Sequence, residues 1–331
     1  MKLVQRQDAS DNILLVMISA IFSLLSVRLY LTLAHFPRIG SGSWHVAHAV
    51  TGGTLMILST LLSISFYGKK IRKIYLIIFG LGIGLFIDEI GKFISTGNDY
   101  LFQPALSFIY VFFIIIFLLY WYLSKDRSIS SKKHLYRAID KFEEAIESDL
   151  QTSEKLDIIN NLNSAIKSND PPQVFLAKHL KTIIQSIDDL EDKRTKRIKL
   201  FWQKTRSLVY RLFKKKLSLT ILIVVSFIYS LISVVDFVYL FSDQSVITSN
   251  LFWIKTFSDL FVSILFLSAI FIRLAKKTGL SLRLFQYGLL INIFLSQIFK
   301  FYFEQFQALI GLSISIIIFF GLKRLRQEKV I

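Results

Sequence analysis

The sequence predicts an all-α, polytopic helical membrane protein of about eight transmembrane helices in two groups of four, with a cytoplasmic helical insert between the groups. Three observations carry that expectation. Hydrophobic residues make up 53% of the 331 positions, 31 of them Phe, more than a soluble domain keeps in solution. The apolar residues gather in windows long enough to cross a hydrocarbon core of about 30 Å. The connections between those windows alternate between strongly basic and nearly uncharged, as the positive-inside rule requires of a multi-pass chain.

The first group occupies residues 1–124. Its windows run from about Ile13 to Ala34, Val46 to Tyr67, Ile74 to Thr96 and Pro104 to Ser124. Lys2 and Arg6 precede the first window as in a signal peptide, but Asp8 and Asp11 interrupt the basic region, and we expect an uncleaved span. The second group, residues 217–331, repeats the pattern at about Leu217 to Phe241, Leu251 to Ala275, Leu284 to Phe303 and Ala308 to Leu322. Gly68 to Lys73, Lys125 to Lys133, Lys276 to Arg283 and the tail after Leu322 are rich in Lys and Arg, which assigns them to the cytoplasm. The intervening connections face outward, so both termini are cytoplasmic and the expected location is the bacterial inner membrane.

Residues 125–192 form the insert. His134 to Asp192 holds twelve acidic and six basic residues. Leu135, Ile139, Phe142 and Ile146, then Leu156, Ile159, Leu162 and Ile166, then Leu176, Leu180, Ile183 and Ile187 recur at helical spacing, predicting a compact helical hairpin or triplet and a surface for a cytoplasmic protein partner. Pro171 and Pro172 suit the start of its last helix. Residues 193–216 follow with eleven basic residues and no acidic one, interleaved with Phe201, Trp202, Leu208 and Phe213. That composition predicts an amphipathic helix lying on anionic lipid.

Several function classes drop out. The chain has no cysteine, which excludes disulfides, thiolate catalysis and Cys-ligated metal centres. Its net charge of +17 is accounted for by basic connections and the membrane-surface stretch, so no nucleic-acid partner is expected.

The chemistry is expected where charge enters an apolar window. Asp88, Glu89 and Lys92 lie in GLFIDEIGKF, and at 1.5 Å per residue from Ile74 the two acids fall about 20 Å across the core, in its outer half. Buried charge at that depth needs a partner or a function. His45 and His48, at i and i+3, lie at the outer mouth of the preceding span and share a helix face. Two imidazoles and a carboxylate make a ligand set for a divalent metal such as zinc, so His45, His48 and Asp88 are the candidate ligands, Glu89 the general base and Lys92 the contact for an anionic substrate. The structural alternative pairs Asp88 with Lys92 along one helix. Likewise Lys255 with Asp259 and Lys300 with Glu304 read as i, i+4 pairs. Gly80, Gly82 and Gly84, with Gly52 and Gly53, are expected to let the second and third spans approach closely.

Two blocks, FPRIGSGSWHVAHAVTGGTLM (Phe36 to Met56) and GLFIDEIGKFISTGNDYLFQPA (Gly84 to Ala105), resemble a family of uncharacterised bacterial multi-pass membrane proteins. The resemblance implies that the HxxH and DE segments belong together and implies no particular activity. The leading expectation is an outward-facing, metal-dependent enzyme acting on a lipid or lipid-linked substrate. The alternatives are a small-solute or ion transporter, and a non-catalytic scaffold or sensor signalling through the insert.

Overall fold

The computed structural model describes residues 5–6, 8–34, 48–94, 103–125, 130–146, 150–187, 215–242 and 250–327, and the side chains of all of these except 92, 93, 103, 144, 215–219, 221, 239–242, 320, 321 and 323–327. The described residues are almost all helical, with no strand among them. Five helical runs are long and apolar enough to cross a membrane: Ala9–Leu33, His48–Ser65, Pro104–Ser124, Asn250–Leu274 and Thr278–Phe319. The basic stretch from 193 to 214 lies outside the described residues, as does His45.

The chain divides into two compact units, the first made of Met1–Phe93 and Phe113–Phe201, the second of Ile94–Phe112 and Trp202–Ile331. In the first, α1 (Ala9–Leu33), α2 (His48–Ser65) and α3 (Lys69–Asp88) pack side by side, with α3 in contact with both neighbours. The glycines of α3 explain the closeness, and they divide their work. Gly82 meets Gly52 of α2, where a Cβ added to either would stand within 2.7 Å of the other's carbonyl oxygen. Gly80 and Gly84, one turn apart, instead press on α1 at Val16, Ser19, Ala20 and Ser23. Thus only Gly52 and Gly82 serve the α2–α3 approach expected from the sequence. Gly53 has open space beside it, and the outer pair lets α1 in. Backbone proximity of this kind strengthens the dispersion contacts between helices.

α3 ends at Asp88, Glu89 sits in a turn, and a short α4 (Ile90–Ile94) resumes. The interruption falls at the paired acids. α5 (Gln103–Ser124) contributes its first ten residues to the second unit and the rest to the first.

The insert folds as α6 (Ser131–Ile146), α7 (Thr152–Ala165) and α8 (Pro171–Ser186) around Leu135, Ala138, Leu150, Ile158, Leu162, Ala165, Ala177 and Ile184. Both prolines occupy the first turn of α8, where a missing N–H costs nothing. Gln151 and Glu154 close a reciprocal cap on α7. Charge joins this bundle to the start of α3. Arg72 reaches Asp8 at 3.2 Å, Glu143 at 3.3 Å and Asp140 at 3.7 Å, Arg6 reaches Asp140 at 3.0 Å, and Lys69 reaches Glu154 at 3.2 Å.

In the second unit, α9 (Lys215–Ser242), α10 (Asn250–Leu274) and α11 (Thr278–Ile291) pack around Leu222, Val262, Phe266, Ala269, Phe285 and Leu289. A π-turn, Asn292–Ser296, carries α11 into α12 (Gln297–Glu304); a 3-10 turn, Gln305–Gln307, then leads to α13 (Ala308–Gln327). Gln305 has a positive φ of 50°. The Gln297 amide donates to the Ala308 carbonyl, and Ser315 lies 3.1 Å from Asn292 Oδ1, so the single apolar run Thr278–Phe319 doubles back as an antiparallel hairpin.

Side-chain distribution across the apolar helices is inverted. Phe271 and Leu274 are 74% and 76% exposed while Ser263, Ser281 and Ser296 are 0% exposed. In water this arrangement would be costly, since roughly 25 cal/mol is lost for every Å² of apolar surface left wet.

Candidate functional site

The candidate site of the first unit is built on the break between α3 and α4. Successive helical residues point about 100° apart, so Asp88 and Glu89 address different neighbours. Asp88, fully buried, forms an ion pair with Arg28 Nε of α1, itself 7% exposed. Arg28 Nη2 also donates to the Asp88 main-chain carbonyl at 3.0 Å. One guanidinium thus neutralises a carboxylate and satisfies a carbonyl at the C-terminus of α3, where the helix dipole favours a cation.

Glu89, 1% exposed, turns toward α2. Its Oε2 accepts the Ala49 N–H at 2.8 Å, one of the orphan donors at the start of that helix. The carboxylate therefore caps α2 from a different element, with the negative charge placed at the positive end of the dipole. Oε1 stands 3.7 Å from Nδ1 of His48, the first residue of α2. That nitrogen is buried and has no hydrogen-bond partner among the described residues, although the imidazole as a whole is 19% exposed.

No protein-family model, curated protein or solved structure matches the chain. The site therefore has to be read from its own chemistry.

Of the residues singled out from the sequence, His48 and Glu89 come together, while Asp88 is turned to Arg28. His45 and the Lys92 side chain lie outside the described residues. Among the described residues no group of three His, Cys, Asp or Glu side chains is placed to hold a metal ion. In the sequence Arg28 falls past the midpoint of the first apolar window, with no acidic residue at helical spacing inside that window to pair with it. The usable signal was that Arg28 and Asp88 each lie about 20 residues into parallel neighbours, α1 and α3.

The i, i+4 pairs expected in the second unit are replaced by crossed ones. Lys255 of α10 binds Glu304 of α12 at 3.2 Å, and Lys300 of α12 lies 3.6 Å from Asp259 of α10. Helical spacing permits the local pairs, but helix-to-helix contact brings the opposite charges of the facing helix closer.

Proposed function

We propose that the protein is a multi-pass integral membrane protein of eight spans, with termini and insert in the cytoplasm, whose first unit performs acid–base chemistry at the outer leaflet on a lipid or lipid-linked substrate. The inverted exposure of large apolar and small polar side chains supports insertion in lipid. The observation that carries the functional reading is the His48–Glu89 pair. A buried imidazole nitrogen without a hydrogen-bond partner among the described residues stands beside a fixed carboxylate, at the rim of an otherwise charge-balanced cluster.

In this reading Glu89, held by the Ala49 N–H, orients the imidazole and stabilises its protonated form. His48 takes a proton from an attacking water or hydroxyl and returns it to the leaving group, the division of labour of a general base that becomes a general acid. Lys92 would contact an anionic headgroup. A bound divalent cation such as zinc would take His48 and Glu89 with His45; Asp88, already neutralised by Arg28, would attract a second cation weakly. The family resemblance carried by the two sequence blocks is consistent with the His and acid segments acting together.

The test is native mass spectrometry and elemental analysis of detergent-purified protein beside His48→Ala. We expect wild type to retain lipid and the variant to lose it, with the melting temperature unchanged. Equal lipid retention would end this reading, and stoichiometric metal lost in the variant would assign the cation. The second reading, an ion or small-solute transporter, is favoured by the crossed charge pairs inside the second unit.

A further inference from the structure

The apolar second unit encloses a polar cluster that the reading of His48 and Glu89 leaves unused. Tyr229 of α9 lies at its centre. Its hydroxyl donates to Asp259 Oδ1 of α10 at 2.7 Å and accepts from Asn292 Nδ2 at 2.8 Å and from Lys300 Nζ at 3.3 Å. The Lys300 ammonium also stands 4.4 Å from the centre of the Tyr229 ring, within reach of a cation–π contact. Asp259 is 6% and Asn292 2% exposed.

Two features separate this arrangement from a packed ion pair. Lys300 and Asp259 are 3.6 Å apart, too far for a direct hydrogen bond, yet both touch one phenol oxygen. The hydroxyl is therefore a bridge between an acid and a base. Beside it lies the Ser296 hydroxyl, 0% exposed and within interaction range of the Tyr229 hydroxyl. Asn292 and Ser296 are the two ends of the π-turn, a geometry that recurs at functional sites. The turn is braced from elsewhere: Tyr110 donates to the Ile293 carbonyl at 2.6 Å and Ser107 to the Ile298 carbonyl at 2.8 Å.

We propose that the second unit contains a proton-binding site in which Asp259 and Lys300 exchange one proton through the Tyr229 hydroxyl. The step conserves atoms and charge. An N–H bond of the Lys300 ammonium breaks as that proton joins the Tyr229 oxygen, and the Tyr229 O–H bond breaks as its proton joins Asp259 Oδ1. The products are a neutral amine and a neutral carboxylic acid. Protonation of that amine from water then completes uptake of one proton, leaving Asp259 protonated and Lys300 charged; deprotonation runs in reverse. Ser296, at the edge of the relay, is placed to hydrogen-bond the incoming water.

The ionisable groups in contact here are Tyr229 from α9, Lys255 and Asp259 from α10, and Lys300 and Glu304 from α12. Among the described side chains, α13 contributes the non-titrating Ser315 hydroxyl, through Asn292. Lys255 and Glu304 balance one another at 3.2 Å, so Asp259 and Lys300 form a neutral pair able to accept one added charge. The site stands whether or not His48 and Glu89 act on a lipid.

The experiment is an infrared pH titration of full-length protein in lipid nanodiscs, following the stretch of a protonated carboxyl group. Exposed Asp and Glu side chains titrate in every variant, so the reading is the difference between wild type and Asp259→Asn, in which we expect one reversible carboxyl band. Tyr229→Phe removes the bridging oxygen alone and should shift the midpoint by about one unit, a tenfold change in proton affinity. Because Asp259→Asn can fail to fold, Tyr229→Phe and Lys300→Met serve as independent readings, each checked by size-exclusion chromatography. A difference spectrum between wild type and Asp259→Asn with no carboxyl band at any pH, or a midpoint indifferent to both Tyr229→Phe and Lys300→Met, overturns the proposal and leaves a static ion pair.

Discussion

Arg28 shows what one residue does at this depth. It faces a carboxylate and a helix-terminal carbonyl together, so its loss would leave Asp88 charged and buried. We expect Arg28→Met to cost about 3–5 kcal/mol, read as a lowered melting temperature in detergent, and the double variant Arg28→Met with Asp88→Leu to recover much of it. A double variant no more stable than the single would show that the pair was not the source of the loss. Sequence reasoning located the acids, because charge in an apolar window is conspicuous whatever the fold. It did not assign their partners. Depth follows from counting residues along one helix, whereas the direction of a side chain follows from which helices stand around it. Asp88 and Glu89, adjacent in sequence, consequently serve α1 and α2 respectively. The same limitation exchanged the partners of Lys255 and Lys300.

Among the helices, the glycines of α3 make the clearest prediction. Gly82→Ala places a methyl group within 3.0 Å of Gly52 and Met56 and should destabilise the first unit by about 1–3 kcal/mol, while Gly53→Ala, with open space beside it, should leave the melting temperature unchanged. Loss of stability in both variants equally would refute the division of roles between the two glycines. Tyr110→Phe gives a second test, since it deletes the donor to the Ile293 carbonyl. An unpaired carbonyl in an apolar setting costs about 1–3 kcal/mol, and a circular-dichroism melt of the variant should show it. The helices and their glycines were legible because helical apolar periodicity and small residues are local signals. The π-turn was not. NIFLS carries no Gly or Pro to mark an irregularity, and the turn is braced by hydroxyls far away in the chain. The interruption of α3 at Glu89 was hidden in the same way, because the charges that accommodate it come from other helices.

For the whole molecule, charge ties the insert to the start of α3 within the first unit. The Arg72 pKa is lowered by burial, but Asp140, Asp8 and Glu143 together outweigh that and raise it above the ordinary arginine value. A raised folded value means that the stabilisation is complete below the unfolded pKa and is lost only as pH climbs through the folded one. Moving from neutral to moderately alkaline buffer should therefore leave the insert docked. Salt near 1 M should loosen it, because the carboxylates around Arg72 are partly exposed and the screening length there falls to about 3 Å, the length of the pairs themselves. Limited proteolysis of wild type and Arg72→Ala checks this: faster cutting within 125–192 in the variant and at high salt is expected, and indifference to both would mean that apolar contacts do the holding. Composition announced a helical insert between apolar groups, since its charge balance differs so plainly from its surroundings. Its docking through α3 was out of reach, because Arg72 read as one more positive-inside residue. The division of α5 between the units has a consequence for biosynthesis. Tyr110 must wait for Ile293, 183 residues later, which at ordinary translation rates is roughly 10 to 40 s. For that interval half of a span has left the ribosome without its partner, so chains stalled before the π-turn should be the ones that quality-control proteases recognise.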